Sequence, residues 1–126
     1  VNVYTGTIDE GTILIHKDRV VGIVGSSFKA QKVVDGKGRY AIPGLMDAHM
    51  HIESTMLLPT ELSKLLIPHG VTSIFADPHE IANVLGVRGV KLLLELASKS
   101  LVRVFIEVPS RVPTAPLREI LKIQSR

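Results

Sequence analysis

The sequence predicts an α/β protein whose main part is the start of a parallel barrel or of a doubly wound sheet, preceded by a smaller β-rich region. Three observations point there. From Ala41 onward, apolar runs suited to strands (Gly44 to His49, Val71 to Ala76 and Val102 to Val108) recur roughly every 30 residues, the usual length of a βαβ unit. Apolar residues at helical spacing fill the intervals between them. Ionisable residues collect at the ends of the runs, where open α/β sheets and barrels carry their working groups.

Residues 1 to about 40 read differently. Val1 to Tyr4, Thr12 to His16 and Arg19 to Val24 are short β-rich runs separated by Gly, Asp and Lys, the pattern of a small antiparallel meander. Asp18-Arg19 stands where a tight hairpin turn belongs, and Val33-Val34 offers a further short strand before Asp35-Gly36 turns the chain. After Ala41, Leu58, Leu62, Leu65 and Leu66 mark a first helix, with Pro59 in its first turn and Pro68 and Gly70 stopping it. Val90, Leu93, Leu94, Ala97 and Leu101 mark a second. Leu117, Ile120, Leu121 and Gln124 give a short amphipathic stretch at the end, with Arg118, Glu119 and Lys122 on its solvated side.

Composition narrows the class. A chain of 126 residues with 45% hydrophobic content has enough material for a core, and with only 4% aromatics that core is aliphatic, as suits a sheet of Val, Ile and Leu. The absence of cysteine excludes a disulfide scaffold and any thiolate metal site. The net charge of +3 comes from scattered Lys and Arg with no interleaved aromatics, unlike a nucleic-acid surface. No apolar run approaches the roughly 20 residues that cross a bilayer, and the start lacks a basic-then-apolar signal. The expectation is a soluble, cytoplasmic protein without nucleic-acid or membrane partners.

The densest chemistry lies in Ala41-Ile-Pro-Gly-Leu-Met-Asp-Ala-His-Met-His-Ile-Glu53. Residues i and i+2 of a strand share a face, so His49 and His51 can grip one divalent ion from the same side. Imidazole suits Zn, Mn, Fe or Ni alike. The alternative is a pair of buried histidines satisfied by the backbone. Glu53 suits orienting a substrate or a metal ligand, or simple surface charge. Asp77-Pro-His-Glu80 fits a helix start, since Asp caps, Pro is tolerated early and Glu favours the N-terminus, but capping has no use for His79. Asp77, His79 and Glu80 are therefore candidate acid-base groups. The third run ends in Glu107-Val-Pro-Ser-Arg111, and Pro109-Ser-Arg-Val-Pro113 reads either as a stiff loop that walls a pocket, with Arg111 as an anion contact, or as a proline-shaped connection. His69 and His16 read as structural.

Taken together, Pro43 to Ser54, Pro68-His-Gly-Val-Thr72, Ala76-Asp-Pro-His-Glu-Ile-Ala-Asn-Val84 and Val108-Pro-Ser-Arg-Val-Pro113 resemble the amidohydrolase superfamily, and within it the branch that deaminates a purine. Pro-Gly-Leu-x-Asp-x-His-x-His marks the superfamily; the His-Ile-Glu-Ser continuation and Asp-Pro-His-Glu-Ile-Ala-Asn are narrower. The resemblance runs from Val1 to about Pro116. It implies that residues 1–40 belong to a small β-sandwich flanking a (β/α)8 barrel, and that 41–126 hold about its first three βα units. It further implies hydrolytic deamination of adenine to hypoxanthine and ammonia with a divalent metal, binuclear in the parent enzyme, Mn or Fe with Zn as an option. His49 and His51 take the ligand role, and Ser54 joins Glu53 and Arg111 around the substrate. The family's bridging glutamate follows the Pro-Ser-x-Val-Pro loop in a Leu-Glu-Thr-like context; Glu119 is the position that could take it, in the different setting Leu117-Arg-Glu-Ile-Leu-Lys122.

Family members are several times longer, and their later strands bring further histidines and an aspartate. A three-stranded piece of a closed barrel leaves an open edge, so self-association into a homo-oligomer or docking with the rest of the barrel is expected, and the 126 residues are expected to be inactive alone. Two alternatives differ in kind. A dihydroorotase-like or hydantoinase-like enzyme would place a carboxylated lysine near the third strand's end, where this sequence has none. A non-catalytic folded fragment would bind a metal weakly or not at all.

Overall fold

A computed structural model describes residues 1–25, 28–109 and 112. The chain divides into two compact units, Val1–Pro43 and a second that begins at Gly44.

In the first unit, β1 (Thr12–His16) and β2 (Arg19–Val24) form an antiparallel hairpin, in register from Thr12 opposite Val24 to His16 opposite Arg19. The two-residue turn is Lys17-Asp18, one residue earlier than the sequence suggests, and Lys17 takes the left-handed φ of 56° that such turns require. A bulge follows Leu14, so Ile15 pairs with Val20. The expected meander reduces to this hairpin. Val1 to Tyr4 contributes a single bridge, Asn2 to Thr7, because the Asn2 Oδ1 accepts the backbone N–H groups of Tyr4 at 3.0 Å and Thr5 at 3.3 Å and curls the chain into a turn. Val33 and Val34 form no strand and are exposed, at 74% and 80%.

The second unit is α/β. Its parallel sheet has the order β3 (Leu45–Met50), β4 (Val71–Ala76), β5 (Arg103–Ile106). β4 pairs on both sides, with Ile74 beside Val104 and Ala76 beside both Met50 and Ile106. Entry to β3 depends on Gly44, where a Cβ would overlap the Thr72 side chain. Helix α1 (Pro59–Leu66) starts on Pro59 and is followed by a 3-10 turn, Ile67–His69, that closes at Gly70, as the Pro68 and Gly70 signals foretell.

The interval between β4 and β5 departs from expectation. It holds two helices, α2 (His79–Leu85) and α3 (Val87–Ala97), separated at Gly86, whose φ of 60° and ψ of −147° no helix accommodates. α3 ends at Ala97, so Leu101, expected in the helix, is 68% exposed beyond it. The helices cover one face of the sheet, where Ile52, Leu62, Ile74, Ala76, Leu93 and Val102 make the core. Buried Ser63 ties the layers: its hydroxyl donates to Thr60 O at 2.7 Å and accepts the N–H of Leu101 at 3.1 Å. On the opposite face, which no helix among the described residues covers, Phe75 and Phe105 stack with centroids 4.9 Å apart. Among the described residues no helix is long and apolar enough to cross a membrane. The stretch after Pro113, including the expected amphipathic segment, lies outside the described residues.

Candidate metal centre

The parallel register aligns the strand ends. Met50 O accepts the N–H of Asp77 at 3.0 Å, and Ala76 O accepts the N–H of Glu107 at 2.9 Å, so the residues just past β3, β4 and β5 stand side by side. β3 ends at Met50, which puts His51 one residue past the strand rather than within it. The two imidazoles are adjacent nonetheless, their ring centroids 5.0 Å apart and nearly perpendicular. His79 joins them, 4.6 Å from His51.

Each imidazole is held through Nδ1 by an oxygen acceptor. His49 meets Glu107 Oε2 at 2.9 Å, His51 meets the backbone oxygen of Asp77 at 3.1 Å, and His79 meets Asp77 Oδ2 at 3.2 Å. An acceptor at Nδ1 selects the tautomer with its proton there, which leaves the Nε2 lone pair of the neutral ring for a metal. This is the orienting arrangement that ligating histidines show in metal sites generally. The donor atoms of His49, His51 and Asp77 lie within 4.8 Å of one another, as do those of His51, His79 and Glu80. Bonds of about 2 Å to zinc place ligand atoms about 3–4 Å apart, so small side-chain movements close either set around an ion. The donor chemistry and spacing thus fit a divalent metal.

Asp77 does two jobs. Its Oδ1 accepts the N–H of His79 at 3.1 Å, an i to i+2 turn bond just before α2, while Oδ2 meets the His79 ring. The expected Asp77 cap is not formed, since Pro78 takes the N-cap position of α2 without a side-chain cap bond; Asp77 instead holds His79 from one residue earlier. Ser54 and Glu53 connect the segment after β3 to the start of α2: the Ser54 hydroxyl donates to Glu80 Oε1 at 2.5 Å, and Glu53 Oε1 accepts the N–H of Ile81 at 3.1 Å. The other Glu53 oxygen, Oε2, is buried with no partner among the described residues.

His49, His51, Glu53, Ser54, Asp77, His79 and Glu80 are thus brought to one rim. Arg111 and Glu119 fall outside the described residues. His16 ends β1 and His69 ends the turn after α1; neither is among the clustered donors. Glu107 is the residue to which the sequence assigns no role. Its position at the end of the third strand is the signal, but its pairing with His49, 58 residues away, emerges only on folding.

The amidohydrolase family profile matches residues 40–125. The chain belongs to the amidohydrolase family. It is 51% identical over 118 residues to an adenine deaminase of Thermosipho africanus (strain TCF52B), an alignment covering 93% of this chain and 20% of that protein. An adenine deaminase of Desulforamulus reducens is 50% identical over 117 residues, covering 92% of this chain and 20% of the relative. Adenine deaminase 3 of Rhizobium meliloti (strain 1021) is 45% identical over 128 residues, with the same coverage of 92% and 20%. The chain spans about a fifth of the length of these curated amidohydrolase relatives.

Proposed function

We propose that this chain is part of a metal-dependent hydrolase that converts adenine and water to hypoxanthine and ammonia. The carrying observation is the rim, where parallel strands deliver three Nδ1-anchored imidazoles and their carboxylates to one place. The relatives' shared name supplies the substrate. In this reading residues 1–40 are part of a small β-sandwich domain and residues 41–126 the first units of a (β/α)8 barrel. The protein acts in the cytoplasm, and β5 pairs onward with the rest of the barrel or with a second copy.

His49 and His51 would hold the metal through Nε2, with Glu119 the candidate for a further ligand, and the ion would be Mn or Fe, with Zn as an option. A divalent metal held there would lower the pKa of water toward neutrality and so supply a nucleophile at working pH. The chain's own groups do the rest. Replacing an amine by an oxygen on the purine ring requires a proton to reach the departing nitrogen. Asp77 and His79, in hydrogen-bond contact, and Glu80 beside them are the groups that hold and pass it. Ser54 fixes Glu80, Glu53 would offer to a substrate N–H its Oε2, which has no partner among the described residues, and Arg111 would be an anion contact for the substrate.

The test is ammonia release from adenine with Mn supplied, by the 126-residue chain and by a chimera in which it replaces the matching segment of the Thermosipho africanus relative. The chimera is expected to turn over and to lose activity with His51→Ala, and the short chain to release nothing. A folded, metal-loaded chimera that leaves adenine intact overturns the reading.

A further inference from the structure

We propose that His51, His79 and Glu80 form a divalent-cation position of their own, next to the one that uses His49 and alternative to it. All three residues are half-buried, whereas the His49 side chain is 57% exposed. Their donor atoms lie within 4.8 Å of one another, and the rings of His51 and His79 stand at 89°. One residue orients both imidazoles: the backbone oxygen of Asp77 takes Nδ1 of His51, and its Oδ2 takes Nδ1 of His79. Both Nε2 atoms are left for a ligand. Glu80 is steadied on Oε1 by Ser54, which leaves Oε2 for the ion. Two histidines and a carboxylate make a ligand set that zinc accepts with a position left open.

The two positions are alternatives because they share His51, whose neutral ring has one lone pair at Nε2 once Nδ1 donates to Asp77. Between them these two donor sets hold one cation at a time, at either of two adjacent places. The second place needs nothing beyond β3, β4 and α2, so this segment can take up an ion without ligands from later strands. The inference does not rest on adenine as substrate; a failed deamination assay leaves it intact.

Calorimetric titration of the 126-residue chain with Zn2+ tests it, with circular dichroism to check that each variant keeps its fold. Wild type is expected to bind one ion and His49→Ala to bind one with little change. His79→Ala and Glu80→Gln should each weaken binding by at least about tenfold, the loss that removal of even an orienting partner produces. Glu80→Gln keeps the acceptor for Ser54, so it reads the ligand role even if His79→Ala fails to fold. The proposal is overturned if wild type binds no ion, or if Glu80→Gln binds as wild type does while His49→Ala loses the ion.

Discussion

The two faces of the parallel sheet differ in kind, and neighbouring residues of one strand show it. Ile74 and Phe75 point to opposite sides of β4. Ile74 is 1% exposed, enclosed with Ile52, Leu62, Leu93 and Val102 under the helices. Phe75 faces the other way and has Phe105, itself 45% exposed, as its stacking partner. The covered face therefore carries most of the stability of this unit, while the face that no described helix covers leaves Phe105 partly open. Burial removes apolar area from water at roughly 25 cal/mol per Å², a gain that Ile74 collects in full and Phe105 only in part.

Three substitutions sharpen or break this contrast. Ile74→Ala opens a cavity at the centre of the covered face and should cost about 2–5 kcal/mol, read from urea unfolding. Ser63→Ala strips the N–H of Leu101 of its acceptor beneath the helices, a loss of about 1–3 kcal/mol by the same measurement. Phe105→Ala removes a half-exposed stacked ring and should cost about 0.5–1.5 kcal/mol. If Phe105→Ala proves as damaging as Ile74→Ala, the uncovered face is covered in solution, and a concentration dependence of the melting temperature would identify a second copy as the cover.

Legibility in the sequence followed the range of the forces involved. β4 could be read to the residue, because Gly70 and Asp77 bound a run rich in Val, Thr, Ile and Phe and a strand paired on both sides has no reason to stray. α1 was equally plain from Pro59, Pro68 and Gly70. The break at Gly86 was not, since a lone glycine within a helical pattern costs only about 1 kcal/mol and so signals weakly. Val33-Val34 failed as a strand because β-propensity without a pairing partner stabilises nothing. At the rim, His49 and His51 announce themselves by spacing. The link from His49 to Glu107 and the unpartnered Glu53 oxygen depend on the parallel register, which no local pattern encodes.

Asp77 binds three structural events into one. Its amide N–H closes the ladder to Met50, its Oδ1 accepts the first N–H of α2, that of His79, and its remaining oxygens aim two imidazoles. Fraying of that single helical turn therefore releases His51 and His79 from their alignment together, and its re-forming restores both. The opening rate of the amide of His79, followed by hydrogen exchange, is then also the rate at which the centre loses and regains its readiness for an ion.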